Sequence, residues 1–494
     1  MNRNPNHSPR IVPVCLSLLA SAAGAQTVST PAPPQAAGAS PTPSAGLVND
    51  FLRQQSSAFT AWDVGGQERV RFEYRRGMAV AGTPGAVDFS QATPDNDFWL
   101  LRTKFHLGYN SPCQWFNVYA EGRDSRDLSD DRRAMAGTDF KPEEDSFDLQ
   151  QAYVTFGNAK EFPLTAKVGR QELSYGDERL IGGFDWSNLG RVFDAAKLRL
   201  ELPDLWVDAF SGRVVIPRDG EFNTPNDYDW FSGVYASTRT LIPKQETQLY
   251  FLARNASAES PAAFTPPPPA LFPLVGARDI YAAGLRVKSL PSQWKSWDYE
   301  AELAGQLGRY VDAGRSLDQQ ALAAHVGGGY TFEEVTTTPR VGLEYNFSSG
   351  DDNPADGRHG TFDNLFPTNH KFYGYMDFVS WQNVHNARLN VSVKPAKGLT
   401  VTADYHAFWL ADTHDYFYQV NGVARSAGGY GLMPGNDSFV GTELDLVASY
   451  VVSNFGNLQA GYGHFFRGDY VKQALATPGS QDADWVYVQA TFAF

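Results

Sequence analysis

The residues of this chain with the most obvious chemistry are charges set at alternate positions. In the first half, Arg69, Arg71, Arg75, Arg102, Lys104, Arg123, Lys167, Lys197 and Arg199 share a parity within short runs of apolar neighbours. In the second half, Glu300, Glu302, Glu344, Asp404, Glu443 and Asp445 hold the corresponding places. A guanidinium grips a carboxylate through two parallel hydrogen bonds, so a row of such cations releases one anionic group as it engages the next. Several weak sites suit passage, where one tight site would stop it. The chemistry expected is recognition of an anionic solute along a basic wall that faces an acidic one. Glu73, Glu121 and Glu201 lie among the basic residues, so mutual neutralisation in a general pore is the competing reading.

Polar segments between the runs offer further groups. "GDERLIGGFDWSNLGR" (176–191) carries Asp185 and Arg191, with Gly182 and Gly183 permitting a tight fold, either into a lumen or over its rim. "PTNHKFYGYMD" places Asn369, His370 and Lys371 near Tyr373 and Tyr375, suited to sugar contact or to loop packing. In "SSGDDNPADGRHGTFD", Asp352, Asp356 and Asp363 loosely follow a calcium loop, but Pro354 sits where a ligand side chain belongs. The nine histidines show no zinc spacing and no G-x-S-x-G occurs. No catalytic residue, metal or cofactor is therefore expected, and the chain reads as something other than an enzyme.

These charges need extended segments to position them. In "LLRTKFHLGY", Leu101, Thr103, Phe105, Leu107 and Tyr109 share one face, while Arg102, Lys104 and His106 share the other. "AKLRLEL" sets Leu198, Leu200 and Leu202 against Lys197, Arg199 and Glu201, and "RVRFEYRRG" repeats the pattern. Marking every such run gives about eighteen strands between residue 69 and the terminal "DWVYVQATFAF". Their connections alternate between long segments (78–97, 125–147, 351–386) and short ones such as "NSP", "PD" and "PAKG". Amphipathic helices are hard to find, and aromatics make up 14 % of the residues, which favours strands.

One apolar and one charged face on every strand, with short turns on one rim and long loops on the other, predicts a transmembrane antiparallel up-and-down β-barrel over 62–494. In hydrocarbon every backbone N–H and C=O must be paired, so a spanning sheet closes on itself. The last strand should then seam to the first, with Phe494 at the membrane rim. Residues 1–25 read as a signal peptide: Arg3 and Arg10 precede "IVPVCLSLLA", and small residues end at Ala25. Its removal takes the formal charge from −14 to about −16 through the loss of Arg3 and Arg10. Residues 26–61 form a Pro/Ala-rich linker with a short amphipathic helix expected in "LVNDFLRQQSSAF". Only Cys113 then remains, which excludes a disulfide framework.

Three stretches carry a family resemblance: "GRQELSYGDERLIGGFDWSNLGRVFDAAKLRL" (169–200), "FDNLFPTNHKFYGYMDF" (362–378) and "GTELDLVASY" (441–450). Together they resemble the alginate export family of outer-membrane barrels. The resemblance implies an eighteen-stranded monomer and an anionic, alginate-like uronate polysaccharide or oligosaccharide as cargo. Expected partners are outer-membrane lipid, that saccharide and a periplasmic export scaffold, with no nucleic acid. The alternatives are a general or oligosaccharide-uptake porin with a transverse field and, more remotely, an outer-membrane lipid hydrolase built on His464.

Overall fold

The computed structural model describes residues 46–79, 86–131, 142–257, 276–312 and 314–494. The expected signal peptide, and the linker up to residue 45, lie outside them. Helix α1 (Leu47–Gln55) precedes the barrel and is held to it by Asn49, which donates to Asp63 at 2.6 Å and accepts from the Val64 N–H at 2.8 Å.

The wall begins with β1 (Trp62–Arg76), β2 (Asn96–Asn110), β3 (Phe116–Leu128), β4 (Asp145–Phe156), β5 (Leu164–Gln171) and β6 (Phe193–Leu202). It continues with β7 (Leu205–Ile216), β8 (Thr224–Thr238), β9 (Gln245–Ala256), β10 (Arg278–Ser289), β11 (Trp297–Asp312) and β12 (Arg315–Thr331). After β13 (Arg340–Ser348) comes a two-residue bridge, β14 (Arg358–His359), parallel to β12 and outside the wall. The rest of the wall is β15 (Val384–Ala396), β16 (Leu399–Leu410), β17 (Phe439–Ser453), β18 (Gly456–Arg467) and β19 (Ala483–Ala493). A short helix, α2 (Asp469–Ala474), lies between β18 and β19.

Every wall strand pairs antiparallel with its neighbours, and β1 pairs with both β2 and β19, so eighteen strands close the barrel. The seam is tight. Phe494 exchanges backbone hydrogen bonds with Gly66 at 3.0 and 3.1 Å. A Cβ on Gly66 would lie 2.4 Å from the Lys104 carbonyl and 2.5 Å from the Phe494 ring, so only glycine lets that ring cross the seam. The long-and-short alternation holds with one exception, because β11 and β12 meet in a tight turn at Asp312 and Arg315 on the long-loop rim.

The two faces divide as their side chains require. Trp99, Phe105 and Leu107 on β2, Leu307 on β11, Leu343 on β13 and Val488 on β19 are exposed outward, where lipid covers them. Of the two paths open to the 176–191 segment, into the lumen or over its rim, it takes the inward one. Two long loops, L3 (172–192) and L7 (349–383), fold inward and fill the extracellular half. Their Leu180, Ile181, Phe366, Tyr373 and Trp381 pack with wall residues Phe193, Phe231 and Trp485 into one buried apolar cluster. Hydrophobic burial stabilises the loops' inward position, since outside they would expose that area to water.

Candidate functional site

L3 folds into the barrel from β5 and reaches β11 and β13 through Arg179, and its backbone is shaped for that path. Gly176 and Glu178 take positive φ (59° and 68°), turning the chain back after Tyr175. L3 then runs beside L7: Gly182 donates to the Phe366 carbonyl at 2.8 Å, Phe366 to Leu180 at 2.9 Å and Thr368 to Glu178 at 2.8 Å. A Cβ on Gly182 would meet Thr368 Oγ1 at 2.2 Å, so the two loops approach as closely as glycine allows.

One end of L3 is fixed to the wall by the arginines of β1–β3. Arg69 donates to the carbonyls of Asp185 (2.7 Å) and Ser187 (3.0 Å), and Arg102 donates to the same two at 3.0 and 3.2 Å. Arg71 donates to the Trp186 carbonyl at 2.7 Å with its guanidinium 3.9 Å over the Trp186 ring. Arg123 bonds the Leu189 carbonyl and pairs with Asp145. The side chains of Arg71 and Arg102 are 0 % and 1 % exposed. These four residues, expected to line an open basic track, are instead the anchors of a loop, because carbonyls delivered by L3 satisfy them before any solute could. Arg75 is taken up by Glu73 at 2.7 Å.

The acidic wall is corrected in the same way. Arg179, from L3, reaches Glu344 at 3.0 Å and Glu300 at 3.6 Å, and donates to Asn346 and Tyr373. Glu300 also meets Arg286 and Lys288, while Arg388 joins Glu344 to Asp404. Glu302 accepts from the Tyr250 hydroxyl at 2.7 Å. Glu443 and Asp445 accept the L7 backbone N–H groups of Met376 (2.9 Å) and Tyr375 (3.2 Å). Glu300, Glu344, Glu443 and Asp445 thus bond L3 or L7, while Glu302 and Asp404 are bonded within the wall. Arg286 and Arg388 stand at inward positions in strands legible from sequence, but an arc read as acidic left them out. Arg179 lies within "GDERLIGG", yet nothing local shows that it bridges to β12 and β13.

The remaining basic residues are Lys104, whose side chain is 12 % exposed, Lys197 and Arg199, at 20 % and 34 %, and the half-buried Lys167. Lys104 lies between Glu121 (3.7 Å) and Asp185 (3.6 Å), whose own side chain is 63 % exposed. On the turn side of L3, Lys167 and Lys197 are directly opposite each other across β5 and β6, with Arg199 beside them. Asp208 is the only carboxylate within ion-pair distance of these three among the described residues, 2.6 Å from Arg199 and 3.6 Å from Lys197. Lys167 is half-buried and has no acid partner there; its ammonium lies 3.5 Å above the Tyr153 ring. L3 answers with carboxylates. Glu172 is pushed up to about 7 by burial, against the pull of Lys104. Glu178 is held at 2.8 Å by Lys371 of L7.

Among the other loop residues, Asn369 is buried and donates to the Val420 carbonyl at 2.7 Å. His370 stacks on Trp186 at 4.1 Å and bonds Asp377 at 3.0 Å. Both pack the loops together. Arg191 donates to the carbonyls of Gly182 (3.0 Å) and Pro367 (2.9 Å), locking L3 to L7. Asp363 pairs with Arg254 and Arg278, which removes it from any calcium loop. His464 meets Asp484 at 2.7 Å, but no serine bonds this histidine among the described residues.

Residues 61–482 match the family model described as alginate export. No curated protein matches the chain. Solved structures of similar fold include Pseudomonas aeruginosa OccK11 (OpdR), at 14 % identity and TM-score 0.51, covering 88 % of this chain and 96 % of that one. P. aeruginosa OpdK, solved with vanillate, is 12 % identical at TM-score 0.54 over 87 % and 98 %. Acinetobacter baumannii OccAB4 is 13 % identical at TM-score 0.54 over 88 % and 99 %. At such identities the likeness is one of fold.

Proposed function

This chain belongs to the alginate export family, and from that premise we propose that its outer-membrane channel passes a carboxylated saccharide, an alginate-like uronate chain, by passive diffusion. The coarser conclusion stands on fold and family: an outer-membrane, porin-like β-barrel rather than an enzyme. The finer reading is supported by one observation, the half-buried Lys167 beside Lys197 and Arg199, with Asp208 as their single acid neighbour within ion-pair distance among the described residues. A like-charged pair directly across a ladder is destabilising unless something offsets it. Tyr153 and Asp208 offset part of the charge and leave Lys167 to meet an anion.

A second reading rests on L3. L3 carries carboxylates of its own, Glu172, Asp185 beside Lys104 and Glu178 beside Lys371, which would give a general porin its acidic side. Planar-bilayer recordings decide between the two. Chloride should be preferred over potassium despite the net negative chain, and uronate oligomers should block the current where neutral oligosaccharides of equal length do not. Lys167→Glu should weaken that block and move the reversal potential toward cations. A native pore that prefers potassium and ignores uronates would establish the general porin.

A further inference from the structure

On the extracellular side of L3 lies a cavity of about 440 Å³, enclosed by L3, L7, the 411–438 loop and the wall from β7 to β11. Part of its charged lining is ion-paired. Arg254 pairs with Asp229 at 2.8 Å and Asp363 at 3.2 Å, and Arg278 pairs with Asp363. Asp415 accepts from the hydroxyls of Thr361 (2.6 Å) and Tyr418 (2.8 Å) and from the N–H groups of Asp351 and Tyr416. Asp312, Asp351 and Asp415 have no cation within ion-pair distance among the described residues, and Arg191 is the one cation of the lining without a carboxylate there. Both of its hydrogen bonds leave from Nη1 and end on carbonyls, and no carboxylate lies within ion-pair distance of it among the described residues. Burial, with Arg254 nearby, pushes this guanidinium down to about 10 against the pull of Glu178.

We propose that this cavity is a binding site for a carboxylated sugar, its carboxylate on Arg191 and its hydroxyls toward the opposite lining. Two properties of the cavity support that polarity. Asp351 and the Gln382 amide supply acceptors and donors suited to sugar hydroxyls, and Phe184 and Phe366 flank the Arg191 side with apolar surface. The volume falls at the lower end of the range for small-ligand pockets, about 300–1,000 Å³. It therefore suits one or two sugar rings, a free uronate or the end of a chain, rather than a threaded polymer. The site lies on the far side of L3 from Lys167, so it would capture solute before or after the constriction. The sugar identity rests on the function proposed above, whereas the site itself is separable from conduction.

Calorimetry on the full chain in detergent, with glucuronate as ligand and glucose and acetate as controls, tests the inference. Glucuronate should bind at one site, with both controls at least about tenfold weaker. Arg191→Gln should lower the glucuronate affinity by about thirtyfold, the effect of removing one partner of a desolvated charge pair, and Arg191→Lys should restore most of it. Three results would overturn the site: Arg191→Gln titrating like the native chain, Arg191→Lys falling as far as Arg191→Gln, or acetate matching glucuronate. The second would mean that Arg191 only locks L3 to L7. Arg191-dependent binding in a cation-selective pore would refute the proposed function alone. A uronate-blocked, anion-selective pore without this binding would refute the site alone.

Discussion

Arg102→Gln separates an anchored loop from an open basic track. Arg102 and Arg69 each donate to the same two L3 carbonyls, those of Asp185 and Ser187. A hydrogen bond from a charged donor contributes about 1.5–3 kcal/mol, so the two from Arg102 amount to about 3–6 kcal/mol. Arg69 still occupies both carbonyls in the variant, which leaves a net loss of about 2–3 kcal/mol. If L3 opens as a unit, its open population rises by about 30- to 150-fold. Single-channel recordings should then show frequent excursions to a larger conductance, with little change in reversal potential between them, because Lys167, Lys197 and Arg199 are untouched. Locking L3 should abolish the excursions, for example through a cysteine pair between L3 and L7 in a Cys113→Ser background. A variant that shifts the reversal potential but opens no new level would refute the reasoning. Arg102 would then be a pore charge, as its position in the strand alone suggests.

Glu172 makes the pore responsive to pH. Its carboxyl is neutral below about 7 and charged above it, so raising pH from about 6 to 8 adds a negative charge beside Lys104. Anion preference should fall across that window in bilayer recordings, and Glu172→Gln should flatten the response at the more anion-preferring value. At the seam, Gly66→Val drives a side chain into the Lys104 carbonyl and the Phe494 ring. Membrane yield of the heat-modifiable form, which runs faster unboiled on a denaturing gel, should drop severalfold; native yield would show that the seam tolerates a β-carbon. Deleting Phe494 removes the paired bonds to Gly66 and should lower the same yield while leaving secretion intact. Gly182→Val should force L3 and L7 apart, since its Cβ would meet Thr368 Oγ1 at 2.2 Å, and should raise mean conductance. An unchanged conductance there would show that the loops do not set the constriction.

The barrel was legible because each of its determinants is local. Strand parity follows from side-chain alternation, so "LLRTKFHLGY" declares on its own that Phe105 and Leu107 point one way and Arg102 and Lys104 the other. Strand count, inward charges and the seam partner of the terminal strand need nothing more than that period and the rule that a sheet in lipid must close. The exception at Asp312–Arg315 marks the limit, because two strands joined by a tight turn on the long-loop rim leave no composition signal. Which inward charges remain available was a different kind of question. Arg102 and Lys167 are alike in sequence, both basic and both inward, yet one is sealed by carbonyls from residues 83 and 85 positions away and the other lies half-buried over the Tyr153 ring. That difference depends on where L3 goes, and L3 goes inward because its apolar residues find partners on L7 and on the far wall, contacts that no local pattern encodes. Parity along the chain determined the architecture and which charges point inward; only the tertiary packing of two loops decided which of those charges L3 and L7 take up.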